Sequence, residues 1–313
     1  MKLAEISEIE LDDGPFAPRG LAFTKLHGNG NDFILIDEMA REIVAEGQKK
    51  SLARASCHRN FGIGADGVLF LSGSPRADLS MRLIQPDGSE AEMCGNGIRC
   101  LAKYAFDTGY VGQSFTVDTL AGVIPVQVRE RESGFWARVN MGEPRFDRPS
   151  IPACGEGELL DQVVGGLKVS AVNTGVPHAV VFVEDLSFDI AGTAPPIRHS
   201  DTFPEGTNVN FVKLESRGGP KGGSSPDAGQ TIEIRTFERG VEGETLSCGT
   251  GSVAAAAVAR RLALVDDEVT VLTRGGPLII TFEGEEAFME GPAVTVYSGE
   301  ISEEYLWSLS EEL

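Results

Sequence analysis

Cys94-Gly95-Asn96-Gly97 and Cys248-Gly249-Thr250-Gly251 each set a thiol directly before a Gly-X-Gly turn. Each turn runs into a stretch that reads as helix, Ile98 to Phe106 in one case and Ser252 to Arg261 in the other. A cysteine at a helix N-terminus meets unpaired amides and the positive end of the helix dipole, and both favour thiolate over thiol. Two such thiols on opposite faces of one ligand could act as a pair. A thiolate on one side takes a proton from a carbon, and a thiol on the other side returns one, so a stereocentre is inverted. The same helix ends can hold a carboxylate and stabilise the charge that spreads onto it as the α-proton leaves.

Other chemistry fits less well. Cys94 and Cys100 lie six positions apart with no second close Cys or His pair, so no zinc spacing is present. A dithiol redox pair remains open, although Cys-X-X-Cys does not occur. A buried cysteine is commonly a small hydrophobe, and one motif alone would read that way; the repetition argues otherwise. Cys57, Cys100 and Cys154 have no repeated setting and read as structural thiols. An Arg beside a Glu can bind the carboxylate and ammonium of an amino acid, which singles out Glu238 and Arg239. His178, after a proline at a loop-to-strand junction, reads as a satisfied structural histidine.

The elements that must position these thiols also come twice. In the first pass, a turn-rich loop at His27 to Asp32 feeds a buried strand, Phe33 to Asp37. A helix from Gln48 to Arg59 and a glycine-rich loop from Phe61 to Gly67 follow. Strands at Val68 to Leu71 and Met81 to Ile84 then lead through the turn Pro86 to Glu90 into Cys94 and a helix that Gly109 ends. Three strand-like runs follow, Phe115 to Val117, Gly122 to Val128 and Phe135 to Met141. Gly142 to Pro152 has the proline content of a linker.

In the second pass, a strand at Leu167 to Val172, the loop Asn173 to His178 and a buried strand at Ala179 to Val183 come first. Strands at Asn208 to Leu214 and Thr231 to Phe237 then lead to Cys248. A Gly-, Ser- and Pro-rich surface loop from Arg217 separates the last two. Strands at Val269 to Leu272, Leu278 to Phe282 and Ala293 to Tyr297 complete the chain, and the acidic tail from Glu300 is expected to fray or cap the surface. Duplication is the simplest account. The expected fold class is α+β: two pseudo-symmetric domains, each a mixed β-sheet curled around a central helix, with the active site in the cleft between them. Residues 1–20 form an N-terminal extension, 21–143 with 294–313 the first domain, and 144–293 the second.

Bulk properties agree. A chain of 313 residues has room for about two domains. Asp and Glu total 47 against 27 Lys and Arg, a net charge of −20 with no basic run, which disfavours nucleic acid and anionic membrane as partners. The first twenty residues carry neither a basic start nor an apolar stretch of signal-peptide length, and no later run approaches a membrane span. Five cysteines, an odd number, argue for free thiols and a cytoplasmic protein.

Taken in order, five segments resemble the motif series of the diaminopimelate epimerase family. They are His27 to Phe33, Gly62 to Gly67, Asp87 to Gly97, Asn173 to His178, and Glu238 through Gly251. The resemblance runs from about Leu21 to Ile301. It implies a cofactor-independent epimerase, without pyridoxal phosphate or metal, that interconverts LL- and meso-diaminopimelate for lysine and peptidoglycan synthesis and is typically a homodimer. By position, Cys94 and Cys248 become the acid/base pair. Gly95, Asn96, Gly249 and Thr250 hold the reacting carboxylate, and Asn31, Asn208, Glu238 and Arg239 bind the amino and distal groups of a small amino-acid substrate. Three positions depart from the family pattern: Gln85 in place of Asn, Val176 in place of Asn, and Gly67 where some members carry Gln. The resemblance places these positions toward the distal end of the substrate, where Gln85 is expected to reach the same group from one carbon further out and Asn173 to stand in for the side chain that Val176 lacks. A racemase of proline or hydroxyproline type, and a non-catalytic amino-acid-binding or thiol-redox protein, are the competing readings.

Overall fold

The computed structural model describes residues 20–215 and 230–311. The expected N-terminal extension, apart from Gly20, and the Gly/Ser-rich loop from Arg217 lie outside those residues. The chain divides into two compact units, one of residues 1–28, 32–135 and 293–313, the other of residues 29–31 and 136–292.

In the first unit the chain runs β1 (Gly20–Gly28), β2 (Asn31–Asp37), α1 (Glu46–Ser56), β3 (Gly67–Ser72), β4 (Leu79–Ile84), β5 (Glu90–Ala91), α2 (Gly95–Asp107), β6 (Ser114–Thr119) and β7 (Gly122–Arg131); β8 (Gly134–Gly142) leads from it into the second. Strands β2 and β3 pair in parallel across α1, β3 and β4 pair antiparallel, and β4 pairs in parallel with β6 across α2.

The second unit repeats this order. After the short β9 (Gln162–Val164) come β10 (Leu167–Asn173), β11 (Pro177–Phe182), the one-turn helices α3 (Ile190–Thr193) and α4 (Pro195–Arg198), β12 (Asn208–Leu214), β13 (Gln230–Glu238), β14 (Gly243–Thr245), α5 (Gly249–Arg261), β15 (Glu268–Thr273), β16 (Gly276–Glu283) and β17 (Glu286–Pro292). Here β11 and β12 are parallel across α3 and α4, β12 and β13 antiparallel, and β13 and β15 parallel across α5. Each unit is therefore a mixed sheet with two helical crossovers, and the duplication holds pairing by pairing. Finally β18 (Val294–Ser302) returns to pair antiparallel with β1, and the acidic tail forms α6 (Glu303–Glu311).

Each sheet curls around one helix. Strands β1, β3, β4, β7 and β18 pack on α2, and β10 to β13 with β15 to β17 pack on α5. Every residue of α5 from Gly251 to Ala259 is buried. A helix enclosed on all sides must be apolar all round, and a run of alanines lets the strands approach while keeping the highest helix propensity. Both helices end in the same hydrogen-bond pattern. In α2 the amides of Gly109 and Tyr110 donate to the carbonyls of Phe106 and Ala105 at 3.1 and 2.9 Å. In α5, Ala263 and Leu264 donate to Arg260 and Ala259, each at 2.9 Å. The residue that turns left is Gly109 (φ +78°) in one and Ala263 (φ +56°) in the other.

The units depart from the boundary that composition marks at Gly142 to Pro152. From Trp136 onward β8 pairs antiparallel with β17, which draws it into the second unit. Asn29–Asn31 also belongs there: Asn29 Nδ2 donates to the Pro277 carbonyl at 3.1 Å, and Gly275 lies so close to the Asn29 carbonyl that a Cβ would sit 1.8 Å from its oxygen. Helix α1 stops at Ser56, short of the expected Arg59, because the His58 imidazole accepts the amides of Asn60 and Phe61 and turns the chain.

Candidate active site

Both Gly-X-Gly segments, expected as turns ahead of their helices, are the helices' first turns. Helix α2 begins at Gly95 and α5 at Gly249, so each cysteine is the N-cap itself. Cys94 Sγ accepts the Gly97 amide at 3.3 Å, and Cys248 Sγ accepts the Gly251 amide at 3.3 Å. Both cysteines are half-buried and neither forms a disulfide. This is the arrangement of a Ser or Asp cap with sulfur in place of oxygen, and it puts each sulfur where the helix's positive end favours thiolate.

The N2 residues differ. In α2 it is Asn96, buried, whose Oδ1 accepts Arg99 Nη2 at 2.7 Å. Arg99 is wholly buried; burial pulls its guanidinium down to about 10, while the neighbouring Cys100 and Cys94 act in the opposite direction. In α5 it is Thr250, whose hydroxyl lies 3.4 Å from Cys248 Sγ and whose carbonyl accepts Thr174 Oγ1 at 2.9 Å.

Behind α5 runs a buried polar chain. Asn210 Nδ2 donates to the Ala179 carbonyl at 3.1 Å and lies 3.0 Å from His178 Nδ1, and Asn210 Oδ1 accepts Thr236 Oγ1 at 3.0 Å. With Oδ1 committed as an acceptor, the amide nitrogen is the donor to His178, which leaves the imidazole proton on Nε2. Burial, reinforced by the Arg239 charge, lowers the His178 pKa to about 3, so the ring is neutral and structural.

Asn208, Glu238 and Arg239 meet where β12 begins and β13 ends. The Asn208 amide donates to the Pro177 carbonyl at 3.0 Å and accepts the Arg239 amide at 2.9 Å, so it fastens three strand ends together. Glu238 accepts from Thr245 Oγ1, and Arg239 Nη1 donates to the Glu205 carbonyl at 3.2 Å. Asn31 is half-buried and travels with the second unit. Gln85 is exposed on the turn between β4 and β5, its backbone N–H donating to the Ser89 carbonyl at 2.8 Å. The side-chain amide of Asn173, expected to stand in for the side chain that Val176 lacks, donates to the Ser150 carbonyl at 2.6 Å and accepts the Gly175 amide at 2.8 Å. Gly67 is a close-packed strand position where a Cβ would lie 2.6 Å from Leu83 Cδ1.

The two glycine-rich loops of the first unit are joined by charge. Asp32 pairs with Lys25 at 2.6 Å and with Arg59 at 2.7 Å, and Arg59 also pairs with Asp66 at 2.7 Å. Burial alone would raise the Asp32 carboxyl, but hydrogen bonds from Arg59 and Lys25 outweigh it and hold the group below its ordinary value. Cys57 is pushed up to about 12 and Cys100 higher still, both by burial, which makes them inert thiols. No metal-binding cluster occurs and no helix is long and apolar enough to cross a membrane, both among the described residues.

Sequence reasoning missed Arg99, Thr174, Asn210 and Thr236. The signal available was polarity out of place: an arginine inside the apolar run after Gly97, and Asn210 alternating with apolar residues in a buried strand.

The family model described as diaminopimelate epimerase matches residues 23–146 and 170–296. A diaminopimelate epimerase of Methanothrix thermoacetophila is 64% identical over 289 residues, 92% of this chain and 99% of that protein. One from Archaeoglobus fulgidus is 51% identical over 281 residues, 89% of this chain and 95% of that protein. Among solved structures, a phenazine biosynthesis protein of the PhzF family from Bacillus anthracis superposes with a TM-score of 0.64 at 19% identity, over 91% of this chain and 99% of that one, a likeness of fold.

Proposed function

The chain belongs to the diaminopimelate epimerase family of isomerases, and on that footing we propose that it interconverts LL- and meso-diaminopimelate with Cys94 and Cys248 as a thiolate/thiol pair. The observation that carries the reading is that each compact unit caps its buried helix with a cysteine whose sulfur accepts the N3 amide at 3.3 Å. In the LL direction one thiolate removes the α-proton and becomes a thiol. The pair of electrons left behind spreads onto the α-carboxylate, which the helix-end amides at Gly95, Asn96, Gly249 and Thr250 stabilise. The other thiol delivers its proton to the opposite face and becomes the thiolate, so the enzyme ends in the mirror protonation state and the reverse reaction exchanges the roles. The proton is shared, so the two titrations belong to the couple.

Asn31, Gln85, Asn208, Glu238 and Arg239 complete the proposed substrate contacts. Asn208 acts mainly by holding Arg239 in place, since both ends of its amide bond backbone groups. The reading is tested by incubating the purified protein with LL-diaminopimelate, L-proline and trans-4-hydroxy-L-proline and resolving stereoisomers by chiral chromatography. Meso-diaminopimelate alone is expected; racemised proline or epimerised hydroxyproline in its place would overturn it.

A further inference from the structure

The two capped helices match in backbone and differ in what lies behind the sulfur. Five residues past Cys94, about 7.5 Å of backbone rise at about 1.5 Å per residue, α2 buries Arg99 completely. Five residues past Cys248, α5 buries Val253. The guanidinium is anchored: Nη2 donates to Asn96 Oδ1 at 2.7 Å, and the backbone of β1 closes over it, since a Cβ on Gly28 would lie 2.9 Å from Nη2.

Other charges near α2 are neutralised or solvated. Lys25 on β1 is tied to Asp32, which acts on Cys100 and is also paired with Arg59. Arg82 on β4 is tied to Glu46 and Glu90. His27 on β1 is partly exposed, and Arg129 on β7 and Glu300 on β18 lie in solvent. Around α5 the buried ionisable groups are His178, neutral, and the acidic Glu290 on β17, while Glu238 and Arg239 are half-buried at the end of β13.

We propose that Arg99 is a positioning residue for Cys94: a buried cation, anchored to Asn96, that favours thiolate there, while Val253 in the matching place leaves Cys248 to rest as the thiol. The repeat is thereby made unequal, and the free protein holds its base in the first unit. This rests on the paired-thiol reading for its meaning, but not for its test.

The test is the pH dependence of iodoacetamide alkylation, followed at each cysteine separately by mass spectrometry, without substrate. In the wild-type protein Cys94 should react with a lower midpoint than Cys248. Arg99→Met should raise the Cys94 midpoint by about one pH unit, the size of shift a nearby opposite charge produces, without raising that of Cys248. Arg99→Lys, keeping the charge, should restore most of the difference. An unmoved Cys94 midpoint in Arg99→Met, or both thiols shifting together, overturns the assignment. Should Arg99→Met not fold, the wild-type order still decides: equal midpoints, or a lower one at Cys248, overturn it. Failure to epimerise diaminopimelate would leave these midpoints readable, so the two ideas fail separately.

Discussion

Asn210 Oδ1 lies 2.5 Å from the point where a Cβ on Gly251 would stand, and that oxygen is fixed by Thr236. The equivalent glycine in the first unit, Gly97, faces Leu69 Cδ2 at 3.3 Å, a flexible methyl. Gly251→Ala should therefore destabilise by about 1–3 kcal/mol through overpacking. Gly97→Ala should be nearly neutral or slightly stabilising, because alanine gains up to about 1 kcal/mol over glycine within a helix. Urea unfolding midpoints of the two variants test this; equal losses would contradict it.

The helix ends offer a reciprocal pair. Ala263 is exposed and holds φ +56° in the position that Gly109 fills with φ +78°. A Cβ on Gly109 would meet open space, so backbone strain alone is at issue there. Ala263→Gly should gain, and Gly109→Ala lose, about 1–2 kcal/mol, and thermal unfolding should move in opposite directions for the two.

Burial holds His178 near 3 against an ordinary 6.5. The unfolded chain takes up a proton near 6.5 that the folded chain refuses. The stability tied to neutral His178 is therefore fully present above about 6.5 and is lost as pH falls toward 3, at up to about 1.4 kcal/mol per pH unit. Between about pH 6 and pH 4 the wild-type protein should lose stability more steeply than His178→Gln by close to one proton. Parallel curves would show that the ring is not held neutral.

Asn208 separates fastening from binding. Asn208→Ala removes both of its backbone hydrogen bonds and should cost about 1–3 kcal/mol, with KM rising as Arg239 loosens. Asn208→Asp keeps an acceptor for the Arg239 amide and should retain more of both properties. A stable Asn208→Ala protein with raised KM alone would contradict the fastening role and leave substrate contact as its main one.

The repeat, the two helices and the caps were legible because short motifs with strong local physics mark them: a thiol before Gly-X-Gly, an alanine-rich run, Gly109. The strand β17 was not, since Glu286 to Pro292 alternates poorly and owes its state to pairing with β8 and β16. Nor was the membership of Asn29–Asn31 in the second unit, which depends on the Pro277 carbonyl and Gly275, remote in sequence. Of the candidate site, the capping cysteines could be read from the chain, while Arg99 and Asn210 required the fold to show what they face. The amide of Asn173 could be placed in its loop but not oriented, and its partners lie on Ser150 and Gly175.

The central claim is that Cys94 and Cys248 move the α-proton together, and solvent isotope exchange reads it most directly. In deuterated water, wild-type protein given LL-diaminopimelate should place deuterium at one α-carbon of the meso product, by mass spectrometry and proton NMR. Cys94→Ala and Cys248→Ala should each abolish net epimerisation. Meso product formed without deuterium, or near-full epimerisation by either single variant, would contradict the account.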